Sequence, residues 1–174
     1  YPVFCVRPHK IRAIARQFLE GFPGDVLDAV KCNPEAHILD TLYAAGIRHF
    51  DTASLAEVSL VADRLADAKT YFMHPVKSRE AIHQSYQQYG VRHFVVDHVS
   101  ELEKIAETVT DRDDVVIVVR LAIHYEGAVY ELSSKFGATV ENAITLVQKA
   151  IHKGFRYGVA FHVGSQCLDG DGFV

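Results

Sequence analysis

Asp28 to Pro34 read DAVKCNP, and the rest of the chain is best understood outward from this stretch. Val26 to Val30 are mostly apolar and β-branched, the mark of a buried strand, and the pattern predicts a strand over 26–31. Lys31 then stands at the strand's carboxyl end. Asn33-Pro34 reads as a helix cap followed by a favourable first helical residue. Two accounts of Lys31 are open: the amine snorkels from a sheet rim into water, or it stands where parallel α/β proteins bind their ligands. Cys32 falls on the opposite face if the alternation continues, so it is expected to pack and not to act as a nucleophile.

The surrounding chain repeats one device. Gly46-Ile47-Arg48-His49-Phe50, Gly90-Val91-Arg92-His93-Phe94 and Gly154-Phe155-Arg156-Tyr157-Gly158 each read as a helix stop running into a strand. Strands are predicted near 26–31, 48–53, 70–74, 92–97, 115–121 and 157–163. Helices fall near 8–21, 34–45, 55–67, 78–89, 100–109 and 139–153, with amphipathic spacing such as Ile38, Leu39, Leu42 and Ala45. Ser54 to Glu57 and Ser100 to Glu103 have the spacing of capping boxes. Alternating strands and helices imply a parallel sheet, either a (β/α)8 TIM-type barrel or an open doubly wound sheet. A barrel takes about 250 residues and eight strands, so six βα units in 174 residues make an incomplete one.

The length suits a single domain with a real core. A net charge of -4 argues against a nucleic-acid partner, which would call for a basic stripe. Three cysteines, Cys5, Cys32 and Cys167, show no paired or zinc-like spacing, so a reducing, cytoplasmic setting and no metal are expected. No apolar run approaches the ~20 residues that span a bilayer. Small molecules or proteins remain as partners.

Polar residues collect at the strand ends: Lys31, Asp51 with Ser54, His74, Asp97 with His98, Arg120, and His162 with Ser165 and Gln166. Each has an ordinary alternative. Asp51, Ser54 and Asp97 are suited to capping the next helices, Glu57 to completing a capping box, and His162 to sitting satisfied in a core. Arg120 ends the apolar run Val115 to Val119, where a charge needs a partner or an anionic ligand. Gly164-Ser165 offers the backbone access and hydroxyl that a phosphate or carboxylate uses. Lys135-Phe136-Gly137 reads as a loop before a helix that Thr139 caps, and Gly170-Asp171-Gly172 as a turn.

Taken together, Ala29-Val30-Lys31-Cys32-Asn33, Phe50-Asp51-Thr52-Ala53-Ser54 with Glu57, Lys135-Phe136-Gly137 and Phe161-His162-Val163-Gly164-Ser165-Gln166 resemble the fold-type III pyridoxal-phosphate decarboxylases of the ornithine/lysine group. The resemblance covers nearly the whole chain and implies that residues 1–174 are part of a pyridoxal-phosphate-binding barrel. It implies Lys31 as the lysine that joins the cofactor aldehyde, His162 as the ring stacked on the pyridine, and Ser165 as a phosphate ligand. Asp51, Glu57 and Arg120 match positions lining the cofactor pocket, and Lys135 a position near the active site at the subunit contact. The implied activity is decarboxylation of a basic amino acid, ornithine or lysine, to a diamine in polyamine biosynthesis, by a homodimer.

The same resemblance places the glycine-rich phosphate loop, the acid facing the pyridine nitrogen, a C-terminal β domain and residues donated across the dimer in later sequence. The 174 residues alone are therefore expected to be inactive. Other readings on the same barrel are a non-catalytic regulator resembling the antizyme inhibitors, a racemase, or a decarboxylase of diaminopimelate or arginine. Asp28 departs from the family, which commonly has an aromatic residue there. Alternation turns it toward the helix layer, where an arginine or a water-filled gap is expected beside it.

Overall fold

The structure, a computed structural model, describes residues 1–125, 127–130, 135–167, 170 and 173. Asp171 and Gly172 of the proposed turn lie outside the described residues. The chain forms two compact units, Tyr1–Phe72 and Met73–Val174.

The first unit runs α1 (Pro8–Gly21), β1 (Leu27–Ala29), α2 (Ala36–Ala45), β2 (His49–Thr52), α3 (Leu55–Arg64) and β3 (Lys69–Phe72). Its strands pair in parallel, Ala29 opposite Asp51 and Asp51 opposite Tyr71. Alternation divides β2 and β3: Phe50, Thr52, Thr70 and Phe72 are buried, while His49, Asp51 and Tyr71 are half-buried. Leu39, Ile47, Phe50 and Val61 form the centre of the core. Thr52 is fully buried without penalty, because its hydroxyl donates to the Tyr71 carbonyl at 2.8 Å.

The second unit runs α4 (Arg79–Gln87), β4 (His93–Val96), α5 (Val99–Thr108), β5 (Val116–Leu121), β6 (Ala128–Tyr130), α6 (Val140–His152), β7 (Arg156–Phe161) and β8 (Ser165–Cys167). β5 pairs in parallel with β4 on one side and β7 on the other. β6 and β8 pair antiparallel. Phe94, Ile117 and Val119 are fully buried. Among the described residues, no helix is long and apolar enough to cross a membrane.

The predicted helix-to-strand joints have a common physical basis. Gly46, Gly90 and Gly154 all take positive φ, at 116°, 66° and 84°. The residue after each, Ile47, Val91 or Phe155, is buried and its amide closes back onto the helix, as Ile47 does onto the Leu42 carbonyl at 3.1 Å. At the first two joints an arginine locks the turn. Arg48 lies 4.0 Å over the Tyr43 ring, donates to the Tyr43 carbonyl at 2.7 Å and pairs with Asp67. Arg92 repeats the arrangement on Tyr86 and Asp114.

Three local expectations change. β1 ends at Ala29 and Val30–Cys32 form one 3₁₀ turn, closed by the Asn33 amide on the Val30 carbonyl at 3.1 Å. Alternation therefore stops before Lys31, and Cys32 is exposed instead of packed. The Asn33 side chain accepts from the Glu35 amide, making a turn ahead of α2, whose cap is Glu35. Ser100 does not start a capping box: His98 caps α5, its Nδ1 accepting from the Ser100 amide at 3.2 Å.

Candidate functional site

In the first unit, Lys31 is exposed in the turn that follows β1, and that turn packs against β2. Asp51 is half-buried near the carboxyl end of β2. Ser54 caps α3 by accepting from the Glu57 amide, and the Glu57 carboxylate accepts from the Ala53 amide at 2.8 Å. Glu57 thus reaches one residue beyond the usual capping box and fixes the turn that follows Asp51. Asp28 lines an open groove of about 510 Å³ with Ile11, Phe18, Leu42 and Lys10. The expected gap is present, but the basic residue lining it is a lysine. Burial raises the Asp28 carboxyl above the ordinary aspartate value, and the charge of Asp51 adds to the effect.

In the second unit, several predicted residues meet around Phe136. The Arg120 guanidinium lies 5.4 Å from its ring centroid, and His74 meets the same ring edge-on at 5.5 Å. Asp97 does not cap α5. Its carboxylate accepts from the Gly137 amide at 3.0 Å, tying the end of β4 to the loop that presents Phe136. Gly137 has φ +106° and lies so close to β5 that a Cβ would stand 2.5 Å from the Ala122 nitrogen, which explains why glycine stands there. Lys135 is exposed at the start of this loop. The loop closes onto β5 through Ala138, whose amide donates to the Arg120 carbonyl at 2.8 Å, and Thr139 caps α6 as predicted.

His162 follows β7 and is exposed in this chain. Its Nδ1 accepts from the Gly164 amide at 3.0 Å, so the neutral ring keeps its proton on Nε2. Gly164 at φ +119° and Gln166 at φ +57° bracket Ser165, the half-buried first residue of β8. A non-glycine residue in the left-handed region marks a segment held by its surroundings.

Sequence reasoning missed the most deeply placed charges. The Lys77 side chain is fully buried and Glu101 nearly so, 3.6 Å apart, with Lys104 pairing to Glu101 from the helix surface. Glu101 and Lys104 have ordinary surface-pair spacing on α5, and nothing in His74-Pro75-Val76-Lys77 separates Lys77 from a solvated lysine.

The profile of the pyridoxal-dependent decarboxylases, in its pyridoxal binding domain, matches residues 9–174. The chain belongs to the pyridoxal-dependent decarboxylases. It is similar to the lysine/ornithine decarboxylase of Selenomonas ruminantium, 37% identical over 145 residues that make up 82% of this chain and 36% of that protein. The ornithine decarboxylase of Mus musculus is 36% identical over 148 residues, 84% of this chain and 31% of that protein. Among solved structures, lysine decarboxylase from Selenomonas ruminantium superposes with a TM-score of 0.82 at 30% identity, covering 95% of this chain and 43% of that one. The chain therefore spans about a third of the length of the curated relatives it matches.

These likenesses make its fold an incomplete TIM-type (β/α) barrel and pyridoxal phosphate its cofactor. The donors present suit that group: an exposed amine for an aldehyde, and a guanidinium, a hydroxyl and a glycine-flanked backbone for an anionic phosphate and carboxylate.

Proposed function

We propose that the protein containing this chain decarboxylates lysine or ornithine to the corresponding diamine, as a homodimer in the cytoplasm supplying polyamine biosynthesis, with residues 1–174 forming part of its cofactor-binding barrel. The observation that carries the reading is Lys31: an exposed amine directly after a parallel strand, where this architecture gathers ligands. Lys31 anchors the cofactor aldehyde through its neutral amine. When bound, pyridoxal phosphate supplies the sink for the electron pair left on the substrate α-carbon as carbon dioxide departs.

The chain's own residues orient and balance charge. His162 presents one face to the cofactor ring, its tilt set by the Gly164 amide. Ser165 donates its hydroxyl to the phosphate. Arg120, braced on Phe136, offsets negative charge at the rim. Asp51 and the turn fixed by Glu57 would keep the Lys31 side chain directed, and its ammonium form would be the group able to return a proton to the substrate α-carbon. Lys135, exposed on the loop that Asp97 ties down, meets the second subunit.

The deciding experiment treats the full-length protein with pyridoxal phosphate and borohydride, then maps the modified peptide. Attachment at Lys31, lost in Lys31→Ala, is expected; attachment elsewhere or none overturns the reading. Carbon dioxide release from lysine compared with ornithine then assigns the substrate. Uptake of cofactor without release from either amino acid points to a regulator.

A further inference from the structure

A lysine with a fully buried side chain is costly, so what surrounds it must account for its presence. The Lys77 Nζ donates to the carbonyls of His74 at 3.0 Å, Pro75 at 3.1 Å and Val95 at 2.6 Å. Glu101 balances the charge and also accepts from the Lys77 amide at 3.3 Å, while the Lys104 ammonium donates to the Lys77 carbonyl at 2.6 Å. Burial lowers the Lys77 pKa to about 8, against the opposing pull of Glu101.

This ammonium joins two separate segments, the turn His74–Lys77 and the end of β4. An apolar residue could fill the space, often with no loss of stability, but it could not gather three carbonyls from both segments. What the clasp presents is His74. The imidazole Nδ1 bonds to the Val76 backbone at 2.8 Å and the ring meets Phe136, which also carries the Arg120 guanidinium.

We infer that Lys77 is a positioning residue: by clasping the His74 and Val95 carbonyls it holds the His74 imidazole against Phe136, and through Phe136 it sets where Arg120 stands at the rim. The importance of this placement for the cofactor rests on the proposed function. The placement itself does not.

The test uses full-length protein with isotope-labelled histidine. In the cofactor-free protein the His74 ring-proton resonance, assigned by its loss in His74→Gln, carries the ring-current shift of Phe136. Lys77→Met/Glu101→Leu removes both buried charges and so retains a folded chain, whereas Lys77→Met alone leaves the Glu101 carboxylate buried without its Lys77 partner. In this double variant the resonance is expected to move toward its position in Phe136→Leu, and in Lys77→Arg to move less.

The dissociation constant for pyridoxal phosphate is expected to rise about tenfold in the double variant and in His74→Ala, and no further when the changes are combined, because they act through one contact. An unmoved resonance, or losses that multiply on combination, overturns the inference and leaves Lys77 a structural clasp only. If the wild-type protein takes up no pyridoxal phosphate, the proposed function falls, and the resonance alone still decides the role of Lys77.

Discussion

Asp28 and Lys77 carry charge where the fold makes charge expensive, and each predicts a pH dependence. The folded-state pKa of Asp28 is raised by burial and by Asp51, so its penalty is fully present above that raised value, fades as pH falls from it toward the ordinary aspartate value of 3.8, and is gone below. Asp28→Asn is expected to raise the urea midpoint at pH 7, with the gain shrinking toward pH 3. Lys77 has the opposite sign. Its folded pKa of about 8 lies below the unfolded 10.5, so the unfolded chain binds more protons between those values and stability contributed at this site rises as pH climbs through that window. The urea midpoint of wild type relative to Lys77→Met/Glu101→Leu should therefore improve from pH 7.5 to pH 10. The places of Lys31, Arg120 and His162 near strand ends were legible in the sequence, because the apolar runs that precede them mark the strands. Lys77 was not, because its three acceptors are main-chain carbonyls and leave no mark on residue type.

The βα element was the most legible feature, since Gly46, Gly90 and Gly154 announce each joint and the apolar residue after each is buried. What was hidden is the arginine clip on Tyr43 and Tyr86, formed by residues five or six positions apart whose meeting depends on the turn itself. Arg92→Ala is expected to cost about 1–2 kcal/mol, from the carbonyl bond and the contact with the Tyr86 ring, and Arg92→Lys to recover only part of it. Denaturant unfolding measures both. The antiparallel pairing of β6 with β8 was also missed. Three-residue strands carry too few alternations to register, and β8 begins inside a motif that reads as chemistry.

The barrel class followed from the alternation of elements, but the choice between a barrel and an open sheet needed the solved relatives, because both bury the same strand pattern. β7 exposes Tyr157, Val159 and Phe161 along one face, and α6 exposes Ile144 and Ile151. The 174-residue polypeptide is therefore expected to associate with rising concentration in light scattering, and Val159→Thr/Phe161→Thr to reduce that association. The bond from Asp97 to the Gly137 amide, between residues forty positions apart, also bears on the order of folding. The bonds described for the loop carrying Phe136 run to Asp97 after β4 and to β5, so its placement waits for β4 and β5 to come together. Asp97→Ala should consequently quicken unfolding while leaving the folding rate nearly untouched, so the segment that presents Phe136 is among the last to assemble and the first to let go.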